Sequence, residues 1–152
     1  MLVGVLGGGQ LGRMLALAGL PLGLRFRFLD PDPQAPAQAV GELITGAFED
    51  QAALSRFTQG LDVATFEFEN VPDTALRRVA RDVPVYPGAD ALAAAQDRVS
   101  EKAFFEKAGL EVHPYRAIDD LVGLEGAIGE IGVPAVLKAR RGGYDGKGQA
   151  VV

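Results

Sequence analysis

The sequence predicts an α/β protein, with a parallel, doubly wound sheet over residues 1–95 and a second, incomplete domain over residues 96–152. Three observations carry this. Short apolar runs alternate with helical patterns from Leu2 to Tyr86, the signature of strands joined by crossover helices. A glycine cluster follows the first run at once. After Pro87 the alternation gives way to consecutive helical patterns and a basic, glycine-rich loop.

Leu2 to Leu6 is a continuous apolar run, suited to a strand buried on both faces. A helix from Gln10 to Leu20 should follow, with Leu11, Leu15 and Ala18 on one face. Arg25 to Leu29 reads as the next strand, and Asp30-Pro31-Asp32-Pro33 excludes regular structure, because each proline drives its predecessor out of the helical region. Glu42 to Thr45 is a short strand, Asp50 caps a helix running to Thr58, and Asp62 to Phe68 returns as a strand. Pro72 opens a helix through Arg81, and Val83 to Tyr86 is a further strand. Beyond it, helices are expected over Ala89–Ala95, Asp97–Ala108 and Leu121–Ile131, with strands over Ala135–Lys138 and Gln149–Val152. A two-stranded unit is marginal in water, so this second domain should need more chain or a partner.

Composition narrows the chemistry. There is no cysteine, and His113 is the sole histidine. Disulfides, thiolate metal sites and multi-histidine metal sites are therefore excluded within the chain. Neither Ser55 nor Ser100 sits on a nucleophile-elbow sequence. A net charge of −5 argues against a protein that grips nucleic-acid backbones. The apolar stretch Met14 to Leu24 is too short and too interrupted for a membrane span, and the N-terminus lacks a basic leader region. A soluble, cytoplasmic protein is expected.

Gly7-Gly8-Gly9-Gln10-Leu11-Gly12 fits G-x-G-x-x-G after a strand and at the start of a helix, the Rossmann-like context. Such a loop can bring backbone amides to a phosphate, and Asp30 stands where a dinucleotide site places its ribose-binding acid. A dinucleotide, a mononucleotide, a sugar phosphate or plain strand–helix packing would each account for these glycines. Phe66-Glu67-Phe68-Glu69-Asn70-Val71-Pro72 lies at a carboxyl-end crevice, where one glutamate could instead cap the helix beginning near Pro72. Asp97 reads as an N-cap with Arg98 after it, and Glu101 and Lys102 as solvated helix charges.

The second glycine motif is more telling. Lys138, Arg140, Arg141 and Lys147 surround four glycines within residues 142–148. That combination suits phosphate oxygens better than a hairpin turn, which needs only one or two glycines. The P-loop pattern is absent, since Gly148 follows Lys147.

Together, Gly7–Met14, Phe66–Pro72, Gln96-Asp97-Arg98 with Glu101-Lys102, and Val136–Gln149 resemble the N5-carboxyaminoimidazole ribonucleotide synthetase family of ATP-grasp ligases, in the family's order. The resemblance implies a Rossmann-like pre-ATP-grasp domain over residues 1–95 and the first part of an ATP-grasp domain over residues 96–152. It implies ATP-dependent carboxylation of 5-aminoimidazole ribonucleotide with bicarbonate, through carboxyphosphate. Arg98, Lys138, Gly143, Tyr144, Asp145, Gly146, Lys147, Gly148 and Gln149 would bind ATP. Asp145 and Lys147 would be catalytic, with Asp145 the base for the amine. Gly9, Gln10, Leu11, Glu69 and Tyr144 would contact the ribonucleotide. Mg2+ would be held by acids beyond Val152, and none in this chain. The complete enzyme would be a homodimer without nucleic-acid or membrane partners, and the 152-residue chain alone would be inactive. A formate-dependent glycinamide ribonucleotide transformylase and an NAD-dependent oxidoreductase are the competing readings.

Overall fold

The computed structural model describes residues 1–143 and 146–152. The chain forms two compact units, Met1–Ala93 and Ala94–Val152. In the first, β1 (Leu2–Leu6), β2 (Arg25–Asp30), β3 (Glu42–Thr45) and β4 (Val63–Phe66) make a parallel sheet in the order β3-β2-β1-β4. The helices are α1 (Gln10–Gly19), α2 (Gln51–Thr58), α3 (Asp73–Val79) and α4 (Ala89–Gln96), the last running into the second unit.

β1 sits between β2 and β4, which explains its continuous apolar character. Successive side chains leave a strand on opposite faces, so Val5 and Phe28 enter one core while Leu6 and Leu29 enter the other. The smaller core joins Val5, Phe26 and Phe28 to Ala16 of α1. The larger one joins Leu6, Leu29, Leu54, Phe57, Leu76 and Val79, and so holds α2 and α3.

Helix starts follow their caps. The Asp50 carboxylate accepts from the amides of Ala52 at 2.8 Å and Ala53 at 3.2 Å, and α2 begins at Gln51 as the sequence predicts. Its far end is tied to α3: buried Thr58 donates to Asp82 at 2.9 Å, and Arg78 donates to the same carboxylate at 2.7 Å. The Arg78 and Thr58 hydrogen bonds hold the Asp82 carboxyl below its ordinary range. A folded-state value below the unfolded one contributes stability that is complete above the ordinary carboxylate range. It is lost as pH falls through the depressed value. Urea midpoints measured across that acid limb should therefore fall less steeply for Asp82→Asn than for the parent chain.

Three expectations need correction. The buried face of α1 is Gly12, Ala16 and Gly19, whereas Leu11 and Leu15 are exposed. The reason is close packing: a Cβ on Gly19 would lie 2.5 Å from the Phe26 ring. Residues 83–86 form only an isolated bridge, Ala64 with Val85, rather than a strand. Pro84 has no N–H to continue a ladder. Finally, β4 stops at Phe66, so Glu67 and Phe68 lie beyond the sheet.

The second unit holds α5 (Arg98–Lys107), α6 (Leu121–Ile131) and the antiparallel pair β5 (Val136–Lys138) and β6 (Gln149–Val151). Asp97 and Asp120 cap the two helices. Lys102 lies over the Tyr115 ring, 5.1 Å from its centre, so it is not a purely solvated charge. Tyr115 donates to Glu106 at 3.1 Å, and burial, reinforced by that bond, raises its phenol above the ordinary value. Among the described residues, every buried apolar side chain belongs to the first unit.

Candidate functional site

The glycine loop after β1 is held by the protein's own carboxylates. Pairing of Leu6 with Phe66 brings Gly7 level with Glu67 across the β1–β4 ladder. Glu67 then reaches into the loop, accepting from the amide of Gly9 at 2.7 Å and from the amide of Gly12. Gly7 has φ +101°, and a Cβ there would lie 2.5 Å from the Glu67 Cγ; one on Gly9 would lie 2.7 Å from its Oε1. These glycines thus make room for a glutamate. Asp30 is engaged as well, accepting from the amide of Gly8 at 2.7 Å and from that of Asp32 at 2.8 Å.

An anion at a helix N-terminus is favourable, and here the anion is internal. The amides that a dinucleotide pyrophosphate would use carry Glu67, and the acid expected at its ribose carries Gly8. Of the two glutamates after β4, Glu67 therefore caps α1 rather than the helix near Pro72, whose N-cap has no side-chain hydrogen bond. Glu69, Gln10 and Leu11 are exposed, and Gly9 is half-buried. Among the described residues none is recorded accepting from the amides of Gln10 or Leu11.

In the second unit a cavity of about 610 Å³ is lined by the cations Arg98, Lys102, Lys138 and Arg140 and by apolar side chains including Leu124 and Ile128. Its charged rim is built by one set of bonds. The Arg98 amide donates to Arg140 O at 3.0 Å, and its guanidinium donates to Ala139 O and Gly143 O, each at 3.1 Å. Asp97 takes Arg140 Nη2 at 2.9 Å and Arg141 Nε at 3.4 Å. Lys138 is exposed at the end of β5, and no ion pair or hydrogen bond of its side chain is recorded among the described residues.

The structure thus gathers Arg98, Lys138 and Arg140 around one cavity. Gly143 stands beside Arg98, while Gly146, Lys147, Gly148 and Gln149 are exposed. Tyr144 and Asp145 lie outside the described residues, so the roles expected of them are not located. Sequence reasoning missed two participants. Glu67 was legible only through the β1–β4 register, and the Asp97–Arg140 pair, 43 residues apart, has no local signal.

Residues 1–96 match the family model of the ribonucleotide synthetase preATP-grasp domain. The chain belongs to that family. Residues 103–152 match the ATP-grasp domain. The N5-carboxyaminoimidazole ribonucleotide synthase of Pseudomonas aeruginosa is 48% identical over the whole chain, which spans 42% of that relative's length. Among solved structures, the N5-carboxyaminoimidazole ribonucleotide synthetase of Thermus thermophilus is 54% identical, with a TM-score of 0.89. The match covers 99% of this chain and 40% of that one. The N5-carboxyaminoimidazole synthase of Aspergillus clavatus, solved with ADP and 5-aminoimidazole ribonucleotide, is 31% identical with a TM-score of 0.85, covering 99% and 40%. No helix among the described residues is long and apolar enough to cross a membrane.

Proposed function

We propose that this chain supplies the ribonucleotide-binding unit and part of the ATP site of a ligase that carboxylates 5-aminoimidazole ribonucleotide with bicarbonate. One observation carries the reading. In a chain of net charge −5, four cations line one cavity, and one of them, Arg98, also holds the carbonyl of Gly143 in the glycine-rich loop, a combination that fits a nucleoside triphosphate's anionic tail. The relatives' names and the ligands of the Aspergillus clavatus structure support it.

In this reading ATP activates bicarbonate as carboxyphosphate. Lys138 and Arg140 balance phosphate charge, and Arg98 holds the loop carbonyls in place. Residues 143 and 146–149 bring amides to the phosphates, with Lys147 nearby. Asp145 takes the proton of the attacking amine, and Tyr144 lines the nucleotide. Gly9, Gln10, Leu11 and Glu69 border the ribonucleotide, with the Gln10 and Leu11 amides as donors. Magnesium, a homodimeric assembly and a cytoplasmic setting belong to the same proposal. Among the described residues no group of three His, Cys, Asp or Glu could hold a metal ion.

The test is a chimaera in which this chain replaces the matching stretch of the Pseudomonas aeruginosa relative. ADP release that requires both aminoimidazole ribonucleotide and bicarbonate is the expected result. Release driven by formate and glycinamide ribonucleotide would favour the transformylase instead. In that chimaera, Lys138→Ala should raise the KM for ATP by about tenfold or more, the loss of one charge-assisted contact. The 152-residue chain alone should release no ADP above background, and steady turnover by it would contradict the division of the site.

A further inference from the structure

Asp97 is the only buried charged residue among the described residues, at 4% exposure. Capping alone does not explain this. Asp50 and Asp120 cap α2 and α6 through backbone amides and are exposed. Asp97 makes the same kind of cap, accepting from Val99 N at 3.0 Å and Ser100 N at 3.2 Å. It then takes two guanidinium groups from the loop after β5, with Arg140 Nη2 at 2.9 Å and Arg141 Nε at 3.4 Å from the same oxygen, Oδ2. Next to it, Arg98 binds the carbonyls of Arg140, Ala139 and Gly143. Residues 97–98 therefore staple both the side chains and the backbone at the base of this loop.

We propose that Asp97 is the positioning residue of the cation-bearing loop: its buried carboxylate fixes the Arg140 guanidinium in the cavity wall while itself touching no ligand. The functional side of this rests on the triphosphate reading above. Two arginines on adjacent residues repel each other and would turn toward solvent without a counter-charge. A buried carboxylate that also satisfies two amides holds them in one place, because it is anchored by the helix as well as by the arginines.

Asparagine separates the two roles of this residue. It caps helices about as well as aspartate, but it carries no charge to hold the arginines. Asp97→Asn should therefore leave the thermal midpoint of the chimaera nearly unchanged. Trypsin cleavage after Arg140 and Arg141, followed by mass spectrometry in the native state, should accelerate by about tenfold, as expected for a local opening. Asp120→Asn, the matched cap in the same unit, should change those rates by less than about twofold. Parent-like cleavage after Arg140 and Arg141 in Asp97→Asn would overturn the proposal. So would an equal acceleration after Arg116, which would mark general loosening of the unit.

The protease arm contains no nucleotide and judges the staple by itself. In the chimaera, Asp97→Asn should raise the KM for ATP by about tenfold with kcat within about threefold, the pattern of lost binding rather than lost chemistry. A loosened loop with an unchanged KM would count against the triphosphate reading and leave the staple standing.

Discussion

Replacing Glu67 with alanine should lower the stability of the first unit by about 3 kcal/mol, the consequence of leaving two inward amides without their charged acceptor. The carboxylate accepts from Gly9 and Gly12, and Gly12 is buried against the sheet. Bonds to an ionised acceptor are the stronger kind, and this one also lies at the positive end of α1. Glu67→Gln retains one carbonyl oxygen and should lose about half as much. Urea unfolding of the three proteins gives the comparison. Alanine with parent-like stability would show that the carboxylate does not hold the loop. A second readout follows from the same geometry. With Glu67 gone, the vacated amides of Gly9 and Gly12 form an added anion site, so millimolar inorganic phosphate should raise the melting temperature of Glu67→Ala by more than that of the parent.

Gly7→Ala should destabilise by a similar amount, about 3 kcal/mol, from two sources. The backbone there has φ +101°, where an L side chain is strained by roughly 1–2 kcal/mol. The new methyl would also lie 2.5 Å from the Glu67 Cγ. Because that clash needs both side chains, Gly7→Ala combined with Glu67→Ala should be less destabilising than the sum of the single changes, by about 1 kcal/mol. Strict additivity in the same urea series would show that the glycine is required by its backbone alone.

These expectations depend on contacts that the sequence reveals unevenly. The central strand was readable because a buried parallel strand, such as Leu2–Leu6, needs an unbroken apolar run. Asp50 was readable because a cap acts within three residues of itself. The inward face of α1 was not. It consists of Gly12, Ala16 and Gly19, small residues with little hydrophobic signal, selected by how closely Phe26 and Phe28 approach. Periodicity favours the larger leucines, which lie on the exposed side.

The site divides in the same way. Lys138 and the basic glycine loop announce an anion by composition alone, and Lys138 and Arg140 do line one cavity with Arg98. Arg98 was expected at the nucleotide, yet two of its guanidinium contacts go to the carbonyls of Ala139 and Gly143. The G-x-G-x-x-G pattern was ambiguous for a physical reason: an external phosphate and an internal carboxylate make the same demand on glycine. Only the pairing of Leu6 with Phe66 shows which anion answers it.

The margins of the parallel sheet bear on how the protein behaves when concentrated. On one side β3 is four residues long and carries Glu42, which is paired with Arg27 of the neighbouring strand at 2.7 Å. On the other, β4 is shielded by the bridge at Val85, where Ala64 N donates to Pro84 O at 2.8 Å and Tyr86 N donates back to Ala64 O at 3.0 Å. Pro84 and Pro87 then deny a continuous row of donors to any incoming strand. Neither margin is a good template for stacking one molecule's sheet on the next, so this half of the chain resists fibrillar self-association by its outline rather than by its charge.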